Sequence, residues 1–334
     1  MMIKAYAAQT PRGKLEPFEY DPGPLKPDEV EIDVEHCGIC HSDLSMLNNE
    51  WGITQYPFVP GHEIVGTIAA VGTAVRNRKV GQRVGVGWHA GYCMTCPSCM
   101  EGDHNLCPTG QGVIVGHHGG FAEKVRAQAV SAVPLPKGVD VRSAGPLLCA
   151  GITVFNPLVQ FDIQPTSKVA VIGIGGLGHM ALGFLEAWGC EVTAFTSSEA
   201  KRTEALELGA HQTLNSRDPE ALSAAAGSFD LILSTVNVKL DWNAYLGTLR
   251  AKGRLHFLGV TVEPLDLSLM PMLFGQLSVS SSPVGSPATI EKMLEFAALH
   301  EIAPVTEHFS FDQVNEAMAR LESGQARYRV VLSR

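Results

Sequence analysis

The sequence predicts an α/β protein of two domains, a β-rich domain followed by a doubly wound parallel sheet. Three observations point there. The chain has 334 residues, more than one small core organises. Between Glu29 and Gln128 it consists of short β-branched runs separated by Gly and Pro. From Ser167 the rhythm changes to apolar runs alternating with helical stretches, the pattern of a parallel sheet covered by helices.

In the β-rich part, strands are expected at Glu29–Val34, His62–Val71, Gln82–Gly87 and Gly120–Ala127, joined by long loops. The second part places strands near Lys168–Ile172, Glu191–Thr196, Gln212–Asn215, Asp230–Val236, Arg254–Gly259 and Leu277–Ser281. Two amphipathic helices near Ala288–His300 and Phe311–Ser323 precede a terminal strand at Tyr328–Leu332, and these are expected to return to the first domain. The domain boundaries then read as 1–150 completed by 284–334, with 151–283 as the parallel-sheet domain. A single irregular α+β fold is the competing reading.

Composition narrows the function classes. Hydrophobic residues make up 45% and charged residues 18%, which excludes a disordered or collagen-like chain. Lys and Arg total 25 against 34 Asp and Glu, a net charge of -9 without a basic block, so neither nucleic acid nor an anionic membrane is the expected partner. Met1–Thr10 lacks an apolar signal core, and glycines and a His interrupt the most apolar later stretch, Val169–Trp188. A cytoplasmic protein is expected, in which the eight cysteines serve as metal ligands or catalytic groups rather than in disulfides.

Gly173-Ile174-Gly175-Gly176-Leu177-Gly178 follows an apolar strand and opens a helix. In that context G-x-G-x-x-G is a dinucleotide turn: Gly173 for the tight turn, Gly175 for backbone approach to a pyrophosphate, Gly178 for close packing of helix and strand. Amides of Gly176, Leu177 and Gly178 at the helix start would face the anion. A glycine-rich connection that binds nothing is the alternative.

Cys93, Cys96, Cys99 and Cys107 form C-x2-C-x2-C-x7-C, a set that closes a tetrahedral structural zinc site with no open position. An iron–sulfur cluster is the rival, since Pro108 follows the last cysteine, but the long final gap argues against it. A second set is dispersed: Cys40, His62 with Glu63, and Cys149. Singly these are weak signals; together they supply two thiolates, an imidazole and a carboxylate, enough for a catalytic zinc with one position free.

The segments Gly38-Ile39-Cys40-His41-Ser42-Asp43, Val59-Pro60-Gly61-His62-Glu63, Leu147-Leu148-Cys149-Ala150-Gly151 and the glycine turn resemble the zinc-dependent medium-chain alcohol dehydrogenases, most of all their cinnamyl-alcohol-dehydrogenase-like aldehyde reductases. The resemblance covers essentially the whole chain. It implies a GroES-like β-barrel catalytic domain and a Rossmann domain, two zinc ions per subunit, and a homodimer or homotetramer. It also implies Cys40, His62 and Cys149 as catalytic zinc ligands, with Glu63 able to substitute, and the four-cysteine lobe as the structural site. Ser42 then matches the proton-accepting hydroxyl and Asp43 the carboxylate that orients His62. His41 and Arg329 match pyrophosphate contacts, Thr153 a hydroxyl near the nicotinamide, and Trp88 and Trp51 walls of the substrate pocket. Cys37 and Cys190 are left as buried inert thiols.

Several positions depart from the family pattern. Ser45 stands where relatives often carry a proton-conducting histidine, so delivery through the ribose hydroxyl, Ser45 and water is expected instead. The loop from Cys107 to Gly119 is short, and Ser281-Ser282 replaces a common Gly-Ser. At the end of the second parallel strand, Thr196-Ser197-Ser198 with Lys201 replaces the acidic residue that NAD-selective members use, which predicts NADP(H), with Arg202 in reserve. The leading expectation is reduction of medium apolar or aromatic aldehydes. A secondary-alcohol or polyol dehydrogenase and a non-catalytic dinucleotide- and zinc-binding protein are the alternatives.

Overall fold

Alternation of side chains along the strand Glu29–Ile39 organises the first half of the fold. Val30, Ile32 and Val34 point inward and are buried, while Glu31 and Asp33 face outward. This long strand pairs antiparallel with Glu63–Val71 on one side and with the C-terminal strand Arg329–Ser333 on the other. Its outer part also pairs with Lys124–Gln128. The full sheet runs Thr306–Ser310, Arg329–Ser333, Glu29–Ile39, Glu63–Val71, Arg83–Val86 and Val133–Pro134. A hairpin of Ile3–Ala7 with Glu16–Tyr20 adds to the same core, a feature for which the sequence reading placed no strand.

The computed structural model describes residues 2–261 and 263–334. The chain divides into one unit of Met1–Ile152 with Val284–Arg334 and a second of Thr153–Pro283. The C-terminal residues return to the first unit because Val330 pairs with Ile39 and Leu332 with Cys37. Ser286 caps the helix Pro287–Leu299 by accepting the Thr289 amide, with Pro287 at the first helical position. The last expected helix splits into a 3-10 turn, Phe311–Gln313, and an α-helix, Val314–Glu322.

In the second unit the strand order is Gln212–Asn215, Glu191–Thr196, Lys168–Ile172, Phe229–Ser234, Leu249–Phe257, Ser278–Ser281, all parallel. This is the doubly wound order, whose reversal lies between Lys168–Ile172 and Phe229–Ser234. Helices cover the sheet, so its central strands are buried along nearly their whole length and their sequences read as continuous apolar runs. The fifth strand begins at Leu249 rather than at Arg254. Its first residues pair across a register shift between Phe229 and Leu231, and Lys252 takes a positive φ. An irregular entry of this kind breaks the apolar periodicity by which a strand is recognised. Among the described residues no helix is long and apolar enough to cross a membrane.

Candidate active site and metal centres

Strand register gathers the first metal centre. Glu29–Ile39 ends one residue before Cys40; its neighbour starts at Glu63, opposite Gly38; and its other neighbour starts at Arg329, beside Val330 opposite Ile39. Cys40, His62, Glu63 and Arg329 therefore share one end of three adjacent strands. Cys149 joins them from the end of a 3-10 turn, Gly145–Leu148, which lies close because Gly145 and Gly38 carry no side chains. A Cβ on Gly38 would overlap the Glu63 carboxylate.

Asp43 holds these pieces in place. Its Oδ2 accepts the Cys40 amide at 2.9 Å, and its Oδ1 accepts the Gly61 amide at 2.8 Å. The same Oδ1 lies 3.0 Å from His62 Nδ1. A proton on Nδ1 leaves the Nε2 lone pair facing inward, where Cys149 Sγ lies at 3.3 Å. Cys40 Sγ and Cys149 Sγ are 3.9 Å apart, and the donor atoms of Cys40, His62, Glu63 and Cys149 all lie within 4.8 Å of one another. Two thiolates bound to tetrahedral zinc at about 2.3 Å sit about 3.8 Å apart, so the spacing fits that ion.

Electrostatics agree with the donor set. A hydrogen bond with Cys149, opposed by burial, holds Cys40 well below the usual thiol range, and the same contact together with burial pushes Cys149 well above it. Burial opposes a charge on His62, yet Asp43 and Cys40 together raise it well above the ordinary imidazole value. Burial pushes Glu63 up to about 7 although Arg329 pulls the other way. Glu63 Oε1 pairs with Arg329, while Glu63 Oε2 and Arg329 Nε find no partner. An anionic cluster sealed from water and holding an orphaned carboxylate oxygen is completed by a divalent cation.

The Trp88 ring stands edge-on to His62, 5.1 Å between centroids, and Trp51 packs edge-on behind it, 6.2 Å from Trp88. Ser42 Oγ lies 3.8 Å from Cys40 Sγ. His41, first residue of the helix His41–Leu47, is exposed.

Cys93, Cys96, Cys99 and Cys107 bring their sulfurs within 4.8 Å of one another, with Cys93 and Cys99 4.0 Å apart. Cys93 Sγ accepts the Cys96 amide at 3.3 Å and Cys107 Sγ the Cys93 amide at 3.5 Å. Amide donors of this kind favour thiolates: the Thr95 amide first, then that of Cys96, bring Cys93 down to about 5. Four thiolate donors at this spacing fit a closed zinc site.

In the second unit, Gly173 has φ +88 and a Cβ there would strike Val236; one on Gly178 would collide with the Gly173 carbonyl. Gly175 faces open space, the cradle a pyrophosphate needs. Thr235, after the neighbouring strand, pins the turn by donating to the Gly173 carbonyl at 2.7 Å, a contact invisible in the motif itself. Leu177 is the N-cap of the helix Gly178–Trp188 and provides no side-chain cap, and Gly176 is half-buried in the turn before it.

At the end of the second parallel strand Thr196 is buried, and its Oγ1 accepts the Ser198 amide at 3.3 Å. Ser197 and Lys201 are exposed, and Ser198 starts the helix Glu199–Glu207 without capping it. Arg202 bonds Glu199 and Thr213. Thr153 is buried on the helix Ala150–Gln160.

Residues 26–137 match the alcohol dehydrogenase GroES-like domain family and residues 176–298 the zinc-binding dehydrogenase family. The chain is 66% identical over 332 residues to aldehyde reductase AdhA of Synechocystis sp., covering 99% of each chain. It is 40% identical to cinnamyl alcohol dehydrogenase 7 of Arabidopsis thaliana, over 98% of this chain and 94% of that one. A cinnamyl alcohol dehydrogenase structure from Sorghum bicolor superposes with a TM-score of 0.94 at 38% identity, covering 100% of this chain and 98% of that one. A Helicobacter pylori structure complexed with NADP(H) gives 0.91 at 30% identity with the same coverage.

The two centres should separate by metal analysis of purified protein. Cys99→Ala is expected to lose one of two zinc ions per chain and to lower the melting temperature by on the order of 10 °C, because three thiolates cannot close the lobe. Cys149→Ala should lose the other ion with a much smaller effect on melting. Retention of both ions in either variant contradicts the assignment.

Proposed function

We propose that this chain, which belongs to the zinc-binding alcohol dehydrogenases of the cinnamyl-alcohol-dehydrogenase type, reduces apolar and aromatic aldehydes to primary alcohols with NADPH. The observation that carries the reading is the buried Cys40–His62–Cys149 centre beside Trp88. When bound, zinc supplies Lewis acidity at the carbonyl oxygen and the dihydronicotinamide supplies hydride. Cys40, His62 and Cys149 hold the metal, Glu63 stands in reserve as a fourth donor, and Trp88 with Trp51 offers flat apolar contact to a ring. Ser42 Oγ, next to Cys40, holds the proton exchanged with the alcohol oxygen.

Cofactor choice follows from Thr196-Ser197-Ser198. A buried Thr in place of a carboxylate removes the group that would repel a 2′-phosphate, and Ser197, Ser198 and Lys201 supply donors and a positive charge. The names of the Synechocystis and Helicobacter pylori proteins, an aldehyde reductase and an NADP(H) complex, support the same reading. Thr153 is assigned to the nicotinamide side, and His41 and Arg329 to the pyrophosphate. Initial rates with both cofactors over cinnamaldehyde, benzaldehyde, glycerol and sorbitol test the proposal. Catalytic efficiency should favour NADPH and the aromatic aldehydes, and Thr196→Asp should shift preference towards NADH by about 1–2 kcal/mol, roughly five- to thirtyfold. Higher efficiency with NADH in the unaltered enzyme, or with sorbitol over benzaldehyde, overturns it.

We further propose a homodimer through the second unit. Ser278–Ser281 forms an edge of the six-stranded sheet, and the helix Leu269–Gly275 before it leaves Leu269, Met270, Leu273 and Phe274 exposed, Phe274 to 80%. An open edge beside a row of exposed apolar side chains is suited to pairing with a second copy across a two-fold. Light scattering should report a dimer, or a tetramer built from it, and Leu273→Glu with Phe274→Glu should yield monomers. A monomeric unaltered protein contradicts the reading.

A further inference from the structure

His256 is wholly buried one residue before the end of the strand Leu249–Phe257, outside both metal centres, and both of its ring nitrogens are engaged. Nδ1 lies 2.9 Å from Ser280 Oγ and Nε2 3.0 Å from Ser282 Oγ, the first hydroxyl on the edge strand Ser278–Ser281 and the second just past it. Arg254, two residues earlier on the same face of its strand, donates to Ser280 Oγ at 2.9 Å. Phe161 holds both side chains: its ring meets that of His256 edge-on at 5.1 Å, and the Arg254 guanidinium lies over it at 3.9 Å.

We infer that His256 is a positioning residue for the nicotinamide end of the cofactor, acting by aiming the Ser282 hydroxyl out of the sheet at the strand ends. The inference rests on the dehydrogenase reading above. A doubly wound sheet binds a dinucleotide outside the carboxyl ends of its strands, one nucleotide to each half. The glycine turn and Thr196 assign the adenosine to the half made of Lys168–Ile172, Glu191–Thr196 and Gln212–Asn215. The nicotinamide therefore falls to Phe229–Ser234, Leu249–Phe257 and Ser278–Ser281. Ser282 is the first residue beyond the carboxyl end of the last of these strands.

Charge sets the direction of each hydrogen bond. Burial first, then the Arg254 charge, bring His256 down to about 4, so near pH 7 the ring is neutral, with one N–H and one lone pair. Arg254 is the charged group facing it, and it reaches the ring through Ser280, on the Nδ1 side. A cation there disfavours a proton on Nδ1, and it makes the Ser280 hydroxyl, which already accepts from Arg254, a stronger donor. Ser280 therefore donates to Nδ1, and Nε2–H donates to Ser282 Oγ. The Ser282 hydrogen is turned away from the ring and meets no acceptor among the described residues. It is left for a carbonyl oxygen at the strand ends, of the kind the nicotinamide carboxamide carries.

The test measures the affinity of the zinc-loaded protein for NADPH and for adenosine 2′,5′-bisphosphate, which carries the adenosine half alone. His256→Leu should weaken NADPH binding about five- to tenfold and leave the bisphosphate unchanged. His256→Gln, whose amide can still donate to Ser282, should recover most of that loss. Ser282→Ala should weaken NADPH to the same extent as His256→Leu, and the two substitutions together no further. Nitrogen NMR of the unaltered protein, with the ring signal assigned by its loss in His256→Gln, should show His256 neutral and protonated on Nε2 between pH 6 and 8. Unchanged NADPH binding, an equal loss for both ligands, no recovery in His256→Gln, multiplying losses in the double variant, or a proton on Nδ1 overturns the role of His256 while leaving the dehydrogenase reading intact. Unaltered protein that binds neither ligand overturns both.

Discussion

Asp43, wholly buried, accepts hydrogen bonds from the Cys40 amide, the Gly61 amide and the His62 ring. Through that one carboxylate the residue that starts the helix His41–Leu47 is bound to the turn that enters the strand Glu63–Val71. Each donor left without it would be unsatisfied in the interior, at a cost of about 1–3 kcal/mol apiece. The carboxylate is tolerated there because both of its oxygens accept hydrogen bonds, three in all, and what it secures is the inward direction of the His62 Nε2 lone pair.

The rest of the centre depends on the same register. Glu63 faces the centre only because Gly38 stands opposite it, and Arg329 meets Glu63 only because the C-terminal strand pairs beside Ile39. A buried ion pair of this sort contributes little net stability, since desolvating both charges offsets most of their attraction. Its consequence is local: Arg329 offsets one negative charge in a cluster of two thiols and a carboxylate, and leaves Glu63 Oε2 available for a cation.

How much of this could be read from the sequence follows from the range of each interaction. The four-cysteine lobe and the Gly173–Gly178 turn are local, so spacing and context suffice for them. The strands Lys168–Ile172 and Glu191–Thr196 were legible to the residue because burial on both faces makes them uninterrupted apolar runs. Cys40, His62 and Cys149 are far apart in the chain and each is an ordinary core residue by itself; resemblance to a family assembled them, and strand pairing with the 3-10 turn Gly145–Leu148 brings them together here. Thr235 at the glycine turn carries no sequence signal, and what Gly38 does opposite Glu63 is not legible from its segment, since each acts through a contact set by tertiary packing. Leu249–Lys252 escaped because a bulge disrupts the period that marks a strand.

The central claim is that Asp43 organises the catalytic metal centre. Chelator competition on Asp43→Asn, following zinc release from each site separately, addresses it directly. Because the amide cannot accept all three hydrogen bonds and no longer fixes the His62 tautomer, zinc affinity at Cys40, His62 and Cys149 is predicted to fall about 10–100-fold while the four-cysteine site keeps its affinity. Unchanged affinity at the first centre, or an equal loss at both, would contradict the account.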